Sequence, residues 1–184
     1  MIQVLFRVLL TFNSTFLLIV VFLIKDGFKI KFTIPFFQMP PFITYILLLL
    51  IPILTTAFSL LFINYLDKDS MKVENGKSKV KFVEQANNQF LPSYLGYFFV
   101  ALSIPNCETL FFSYLIIYVF AFFSQVLYYN PIFLLFGFHF YYITTINDVK
   151  IFILTKQIIK DPKTTNFNKL IRINNFTFID THNL

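Results

Sequence analysis

Long apolar runs alternate with short polar segments along the first two thirds of the chain, and these runs have the length of membrane-spanning helices. A helix needs roughly 20 mostly apolar residues to cross about 30 Å of hydrocarbon. The runs that approach this length are residues 4–24, 42–63, 90–104 and 110–129. The pattern therefore predicts that residues 1–129 form an all-α transmembrane bundle of four helices.

The first run, residues 4–24, also has the position of a secretion signal peptide. Its apolar stretch is long, however, and no small-residue cleavage site follows it, since the next residues are Lys25, Asp26 and Gly27. We therefore expect a helix that is retained in the protein.

The third run is shorter than the others. As a helix, its residues would rise only about 22 Å, which is less than the thickness of the hydrocarbon layer. Either residues 85–89 continue this helix into the interface, or the bilayer thins locally around it. Only residues 105–109 separate the third run from the fourth, so we expect these two helices to be antiparallel neighbours.

The pattern changes after residue 130, where a further apolar run follows the fourth one almost without a loop. From Phe138 to Ile143 the side chains alternate as in a β-strand. A polar turn at Asn147 and Asp148 then leads into a second such run, residues 149–156. This pattern favours a β-hairpin over a fifth crossing.

A weaker pair of strand-like runs follows around Asn174 and Asn175. Because a two-stranded hairpin is only marginally stable by itself, we expect all four strands to form one small sheet. Residues 130–184 are therefore predicted to contain a linker or short interfacial helix at residues 131–137, followed by a small β-rich C-terminal extension.

Composition supports the membrane class and limits the chemistry. The chain has 184 residues, of which 57% are hydrophobic and 13% are charged, and its mean hydropathy is +0.71. A soluble domain of this size cannot bury so much apolar surface in one core. Cys107 is the single cysteine, so an intrachain disulfide is excluded.

The positions of Lys and Arg orient the bundle, because cytoplasmic loops of membrane proteins carry an excess of both. Residues 25–41 hold three of them, residues 64–89 hold five and residues 130–184 hold six. Both termini and the extension are therefore predicted to be cytoplasmic, which places eleven of these basic residues inside and three outside. Arg7 is a further basic residue on the cytoplasmic side, because its side chain can extend from the first turn of the helix to the membrane interface. The mixed charges of residues 64–89 are expected to be mostly solvated.

No catalytic or metal-binding pattern accompanies these features. The two histidines, His139 and His182, are far apart in the sequence, and no cysteine or carboxylate has the spacing of a metal ligand. We therefore expect no enzymatic activity, no metal and no cofactor. No nucleic-acid-binding motif accompanies the basic residues, so direct binding of nucleic acid is not expected either.

Polar side chains within the predicted spans form the first group of candidate site residues: Asn13, Thr15 and Gln125. Such side chains are costly in lipid, and they mark either hydrogen bonds between helices or the lining of a pore. Hydrogen bonds of this kind would lie within one protomer or across an oligomer. Both interpretations stay open, but the spans contain no acid–base chain, which argues against a proton-coupled transporter.

Residues 91–104 ("LPSYLGYFFVALSI") and residues 130–143 ("NPIFLLFGFHFYYI"), followed by "VKIFILTK", resemble the KwaA family, the membrane subunits of bacterial Kiwa anti-phage defence systems. The resemblance covers the second half of the chain, and the first half only by span number and length. It implies a multi-pass, four-span protein of the bacterial inner membrane that forms a homotetramer and senses phage attack. It also implies a soluble, DNA-binding cytoplasmic partner, KwaB.

Two functions from different classes follow as hypotheses. The first is a non-enzymatic sensor and scaffold that detects membrane perturbation during infection and signals to a cytoplasmic protein through the β-rich extension. The candidate docking residues for this partner are His139, Lys150, Ile151, Ile153, Lys156 and Arg172. The alternative is a small oligomeric pore or channel that depolarises the membrane. The expected partners are thus membrane lipids, further copies of the chain and a cytoplasmic protein.

Overall fold

The structure, a computed structural model, describes residues 2–30, 40–66, 68–71, 80–124, 130–162, 165 and 167–181. Its helices are α1 (Ile2–Lys25), α2 (Pro41–Leu61), α3 (Leu91–Ser103), α4 (Cys107–Ser124) and the single-turn α5 (Ile132–Leu135). A 3-10 turn, Ile63–Tyr65, follows α2. The strands are β1 (Lys68–Met71), β2 (Val80–Gln85), β3 (His139–Thr145), β4 (Lys150–Thr155), β5 (Phe167–Arg172) and β6 (Thr177–Asp180).

Helices α1 to α4 overlap the four predicted spans, with α4 beginning three residues earlier than predicted, and they differ in length. Among the described residues, α1, α2 and α4 are long and apolar enough to cross a membrane, whereas α3 has only 13 residues. These helices agree with a membrane protein, and a fourth crossing through α3 stays a prediction, as does the cytoplasmic position of both termini.

The possibility that residues 85–89 extend the third helix is wrong. Gln85 ends strand β2, and a turn occupies residues 87–90. The Oδ1 atom of Asn87 accepts a hydrogen bond from the backbone N–H of Phe140 at 2.8 Å. This bond holds the turn against β3, so the residues before α3 belong to the sheet region.

Helix α1 packs against α2, α3 and α4. At the end of α1, Lys25 Nζ donates a hydrogen bond to the carbonyl of Ile104, which follows α3 (2.6 Å), so α1 and α3 are parallel. Near the start of α1, the carbonyl of Val8 accepts a hydrogen bond from Tyr118 in the second half of α4 (3.1 Å). Helices α3 and α4 therefore run in opposite directions, as predicted, and both share one apolar cluster with α1.

One face of α2 carries mostly short side chains, and this face is buried. Its residues recur every three or four positions: Thr44, Leu48, Pro52, Thr56 and Ser59. Short side chains allow helices to lie close together in a membrane. The hydroxyl groups of Thr56 and Ser59 donate to carbonyls of their own helix at 2.7 and 2.6 Å, so their protons need no partner on a neighbouring helix.

The strands form one six-stranded sheet with the order β1-β5-β6-β4-β3-β2. The hairpin predicted around Asn147 and Asp148 is formed by β3 and β4, and Asp148 has the positive φ of 59° that a tight turn requires. The weaker predicted pair is β5 and β6. Strands β4 and β6 pair in parallel and connect the two hairpins.

The prediction of a four-stranded sheet is wrong in extent, because the segment between α2 and α3 adds a strand to each edge. Strand β1 pairs with β5, and β2 pairs with β3. This segment mixes lysines with acidic residues, and Val80 is the only fully buried side chain along β2. An edge strand that buries so little apolar surface shows no strong alternation of apolar and polar residues. The sequence of this segment therefore predicts a solvated loop rather than two strands.

The chain itself covers both faces of the sheet. One face packs against the ends of α1 and α2, in a cluster that includes Phe6, Ile63 and Phe140. The opposite face contains Ile143 and Ile153, and Ile159 from the segment after β4 packs against it. The helix-facing cluster is where the membrane region and the sheet meet.

Candidate functional site

The helices and the sheet share one hydrophobic core, which we name the junction core. Its buried residues are Phe6, Leu10, Ile63, Leu66, Ala86, Phe133, Phe138, Phe140, Phe152, Leu154, Ile171, Ile173 and Ile179. The rings of Phe133 and Phe138 meet edge to face at 5.7 Å, and the ring of Phe140 stacks on Phe152 at 5.8 Å. Residues of the helices and of the sheet are therefore packed together in a single core.

Asn130 connects α5 to α2 through buried hydrogen bonds. Its Nδ2 atom donates to Thr56 Oγ1 at 3.0 Å, and its Oδ1 atom accepts the backbone N–H of Ile132 at 3.0 Å. Asn130 is only 1% exposed, so the loss of either bond would leave a buried polar group without a partner. Pro131 follows with a φ of −59°, which suits the entry into a helix.

Three tyrosines connect α1 to α3 and α4. Tyr94 of α3 donates a hydrogen bond to the carbonyl of Ser14 at 2.9 Å, and Tyr118 of α4 donates to α1 as described above. The hydroxyl oxygens of Tyr114 and Thr15 lie 3.2 Å apart. Thr15, a predicted candidate, therefore lies at a contact between two helices of one chain.

The sequence pattern did not identify these tyrosines, because an aromatic residue in an apolar run counts toward the length of a span. The spacing of Tyr94 and Tyr97 in α3, and of Tyr114 and Tyr118 in α4, was the available signal. Residues three or four apart share one face of a helix.

Asn13 is the other predicted polar candidate that the structure describes. Its side chain is fully buried, and neither Oδ1 nor Nδ2 has a hydrogen-bond partner among the described residues. A buried polar group without a partner costs about 1–3 kcal/mol. Asn13 therefore destabilises the described arrangement of the helices. Gln125 lies outside the described residues, and its role stays a prediction.

Four of the predicted docking residues lie at least partly exposed on the sheet region: His139, Lys150, Lys156 and Arg172. Lys150 forms an ion pair with Glu84 at 3.1 Å, and its ammonium group lies 4.2 Å from the centre of the Tyr142 ring. His139 Nδ1 lies 3.3 Å from Nδ2 of Asn87, the residue that holds the turn before α3. The Lys150 side chain is 54% exposed, and its role in docking stays a prediction.

Ile151 and Ile153 do not share this exposure. They are 6% and 0% exposed and pack in the core on the sheet face that is turned away from the helices. Neither side chain is available to a partner in this conformation. An Asp substitution at either position would disrupt the sheet rather than test docking, because it would bury a carboxylate.

Among the described residues, no three His, Cys, Asp or Glu side chains lie close enough together to hold a metal ion. The described site therefore consists of side-chain packing and hydrogen bonds between the helices and the sheet region.

The family model described as "Anti-phage protein KwaA" matches residues 6–179 of the chain. The chain belongs to the KwaA family. The matched range extends from the first turns of α1 to β6, so it includes the helices, the junction core and the sheet. Membership in the KwaA family supports a role in anti-phage defence and confirms the resemblance noted in the sequence. No curated protein and no solved structure matches the chain.

Proposed function

We propose that this KwaA-family protein is a non-enzymatic sensor and scaffold in the bacterial inner membrane. In this proposal, membrane perturbation during phage infection changes the packing of the helices, and the sheet passes the change to a cytoplasmic, DNA-binding partner resembling KwaB. The observation that carries the proposal is the junction core, because its members come from both the helices and the sheet.

Transmission requires a connection that is stiffer than a flexible linker. Phe6 and Leu10 of α1 and Ile63 after α2 pack in the same core as Phe140 and Leu154 of the sheet. Such interiors have few voids, so they rearrange between discrete packings rather than deform continuously. A rotation or shift of α1 therefore moves or reorients the sheet as a body.

A switch also requires two arrangements whose free energies are close. Among the described residues the Asn13 amide has no hydrogen-bond partner, which raises the free energy of the described arrangement by about 1–3 kcal/mol. In the second arrangement of this proposal, the Asn13 side chain gains a hydrogen-bond partner. Asn13 thus keeps the first arrangement only moderately favoured.

The lipid-facing helices provide the input. Large side chains of α4 are exposed in one chain, among them Phe111, Phe112, Leu115, Ile116, Phe120 and Phe123. A helix that is apolar all round must be covered by lipid or by other helices. We propose that further copies of the chain, forming a homotetramer, and the bilayer share this surface.

The same surface favours a scaffold over the alternative of a pore. Thr15 and Asn13 are buried against other helices of the chain, so neither is available to line a channel between copies. The exposed middle of α4 is formed by large apolar side chains. A flux assay in liposomes separates the two functions, because a scaffold leaks no more than protein-free liposomes.

The docking step is tested by purifying the tagged protein from its host in mild detergent and identifying its companions. We expect a soluble DNA-binding protein with the wild type. Lys150→Glu should weaken its capture, because this residue is exposed on the sheet and basic. The matched control is Lys160→Glu, which makes the same charge change at another exposed position. A purified oligomer without any soluble companion would contradict the scaffold function.

A further inference from the structure

The outer edge of strand β2 is open in the part of the chain that the structure describes. This strand lies at one end of the sheet, and β3 is its only described partner. Residues 81–85 of the strand are exposed or half-buried. An open edge presents backbone N–H and C=O groups that can pair with a strand of another chain.

The pairing with β3 determines which residues present their backbone groups at this edge. In an antiparallel pair, successive residues bond to the partner strand and point away from it in turn. The N–H of Ala86 donates to the carbonyl of Phe140 at 2.8 Å, so Glu84, two residues earlier, also bonds to β3. Val83 and Gln85 therefore direct their N–H and C=O groups outward, where no described residue bonds to them.

The β3–β4 pair supports the same alternation independently. The N–H of Thr145 donates to the carbonyl of Val149 at 2.9 Å, so the odd-numbered residues of β3 bond to β4. The even-numbered residues of β3 are then left to bond to β2, and their partners in the register are Phe82 and Glu84. These two residues of β2 face inward, and the residues between and after them face outward.

The charged side chains of β2 are engaged by the neighbouring hairpin. Charged residues are one means by which proteins protect an open edge. Here, Lys81 forms an ion pair with Asp148 in the β3–β4 turn, and Glu84 forms one with Lys150 of β4. Phe82 lies between them and is 61% exposed. An added strand therefore meets an apolar side chain at this edge.

A polar cavity of about 200 Å³ adjoins the end of the edge. The described residues that line it all carry carboxamides: Gln85, Asn87, Asn88 and Gln89. A carboxamide is uncharged and both donates and accepts hydrogen bonds. The cavity therefore matches peptide groups and uncharged polar side chains better than it matches a lipid chain or an anion. Gln85 belongs to both the edge and the cavity, so one extended polypeptide can reach both.

We propose that the β2 edge and the carboxamide cavity together bind an extended segment of the cytoplasmic partner, which adds a strand to the sheet. This inference rests on the proposed function, because it names the surface at which that partner docks. The segment pairs its backbone with Val83 and Gln85, as in other cases of strand addition, and places an apolar side chain against Phe82. An uncharged polar side chain of the same segment occupies the cavity.

The first experiment measures the affinity of the full-length chain for the purified soluble protein that is captured with the wild type. Val83→Pro removes an outward N–H that the sheet does not use, and its ring obstructs an added strand. Val83→Ala is the matched control, because it removes the same side-chain packing and keeps the N–H. We expect the affinity of Val83→Pro to be about tenfold lower than that of Val83→Ala.

The outcomes separate this inference from the proposed function. Equal affinities of the two variants would overturn strand addition and leave a partner that docks elsewhere. A wild type that captures no soluble protein would contradict the proposed function, and this inference with it.

A second measurement uses the wild-type chain and so does not depend on the folding of a variant. Hydrogen exchange of single backbone amides is followed with and without the purified partner. In the free chain, the amides of Val83 and Gln85 should exchange faster than those of Phe82 and Glu84, which bond to β3. The partner should slow the outward amides by about tenfold or more. Unchanged exchange of the outward amides in the complex would overturn the proposal.

A photocrosslinker identifies the occupant of the edge. p-Benzoylphenylalanine is placed at Phe82, and at Phe176 as the control, because Phe176 is 58% exposed but lies in the β5–β6 turn. We expect position 82 to crosslink to one short segment of the soluble partner, and position 176 not to do so. Crosslinks from position 82 to a second copy of the chain would mean that the edges pair between copies, and would overturn the proposal.

Discussion

The sheet and helix α4 place their apolar side chains in opposite environments. In β4, the five residues from Ile151 to Thr155 are all buried within one chain, whereas Phe120 and Phe123 of α4 are 69% and 73% exposed. The sheet has buried apolar clusters of the same chain on both of its faces. A helix that is apolar all round requires lipid or the helices of further copies.

In the proposed function, this difference determines which region responds to the bilayer. The packing around α4 depends on what surrounds the chain, while the packing inside the sheet depends on the chain alone. The junction core and Asn130 lie where the two environments meet. In the proposed function, a change in the surroundings of the helices reaches the sheet through this junction, and the sheet stays folded.

The largest expected effect tests the contrast itself. Ile153 in β4 is 0% exposed and Ile116 in α4 is 55% exposed, so the same substitution can be made in both environments. Ile153→Ala should lower the free energy of unfolding by about 2–5 kcal/mol, because it leaves a cavity. Ile116→Ala should change it by no more than about 0.5 kcal/mol. Thermal or denaturant unfolding in detergent measures both, and equal losses would remove the distinction between the two regions.

A smaller effect is expected at the junction. Asn130→Ala removes both hydrogen bonds of the side chain and should cost about 1–3 kcal/mol, because Thr56 and the N–H of Ile132 lose a buried partner. Thr56→Val removes the first of these bonds, together with the bond that the Thr56 hydroxyl donates to the carbonyl of Pro52 within α2. If the two residues act as a pair, the double variant will lose less stability than the sum of the single variants. Additive losses would mean that α2 and α5 are not coupled through this bond.

Asn13→Leu should act in the opposite direction. The substitution replaces a buried amide that has no hydrogen-bond partner among the described residues with an apolar group of similar size, so the helices should become more stable by about 1 kcal/mol. The defence activity of this variant in a plaque assay should fall, because the second arrangement becomes less accessible. Asn88→Leu, at an exposed position before α3, is the control and should not stabilise the protein. A destabilised Asn13→Leu variant would show that the amide has a partner in the membrane.

The smallest expected effect concerns a single contact between helices. Thr15→Val removes the hydrogen bond with Tyr114 and should cost on the order of 0.6 kcal/mol, which is typical of such bonds between membrane helices. Thr55→Val is the matched control, since among the described residues the Thr55 hydroxyl donates only to carbonyls of its own helix. Thr15→Val should lower the unfolding midpoint more than Thr55→Val does. An equal effect would indicate that the Thr15–Tyr114 contact contributes nothing.

An element could be predicted from the sequence where the same pattern of apolar and polar residues continues along its whole length. The apolar runs of α1, α2 and α4 and the alternation in β3 and β4 are of this kind. The edge strands β1 and β2 were missed, because their pairing depends on partners distant in the sequence. At the site, Thr15 was identified by its polarity, whereas Asn130 and Tyr114 require knowledge of what lies opposite them. The alternation of side chains along β4 could not indicate that Ile153 is buried, because its burial depends on other parts of the chain that cover the outer face of the sheet.

The central claim is that the helices act on the sheet through the junction. The most direct measurement is the amount of soluble partner captured with the tagged protein before and after phage infection, for the wild type and for Asn130→Ala at matched protein levels. The account predicts that infection changes the capture by the wild type, and that Asn130→Ala captures the partner but shows no change on infection. An Asn130→Ala variant that responds to infection as the wild type does would contradict it.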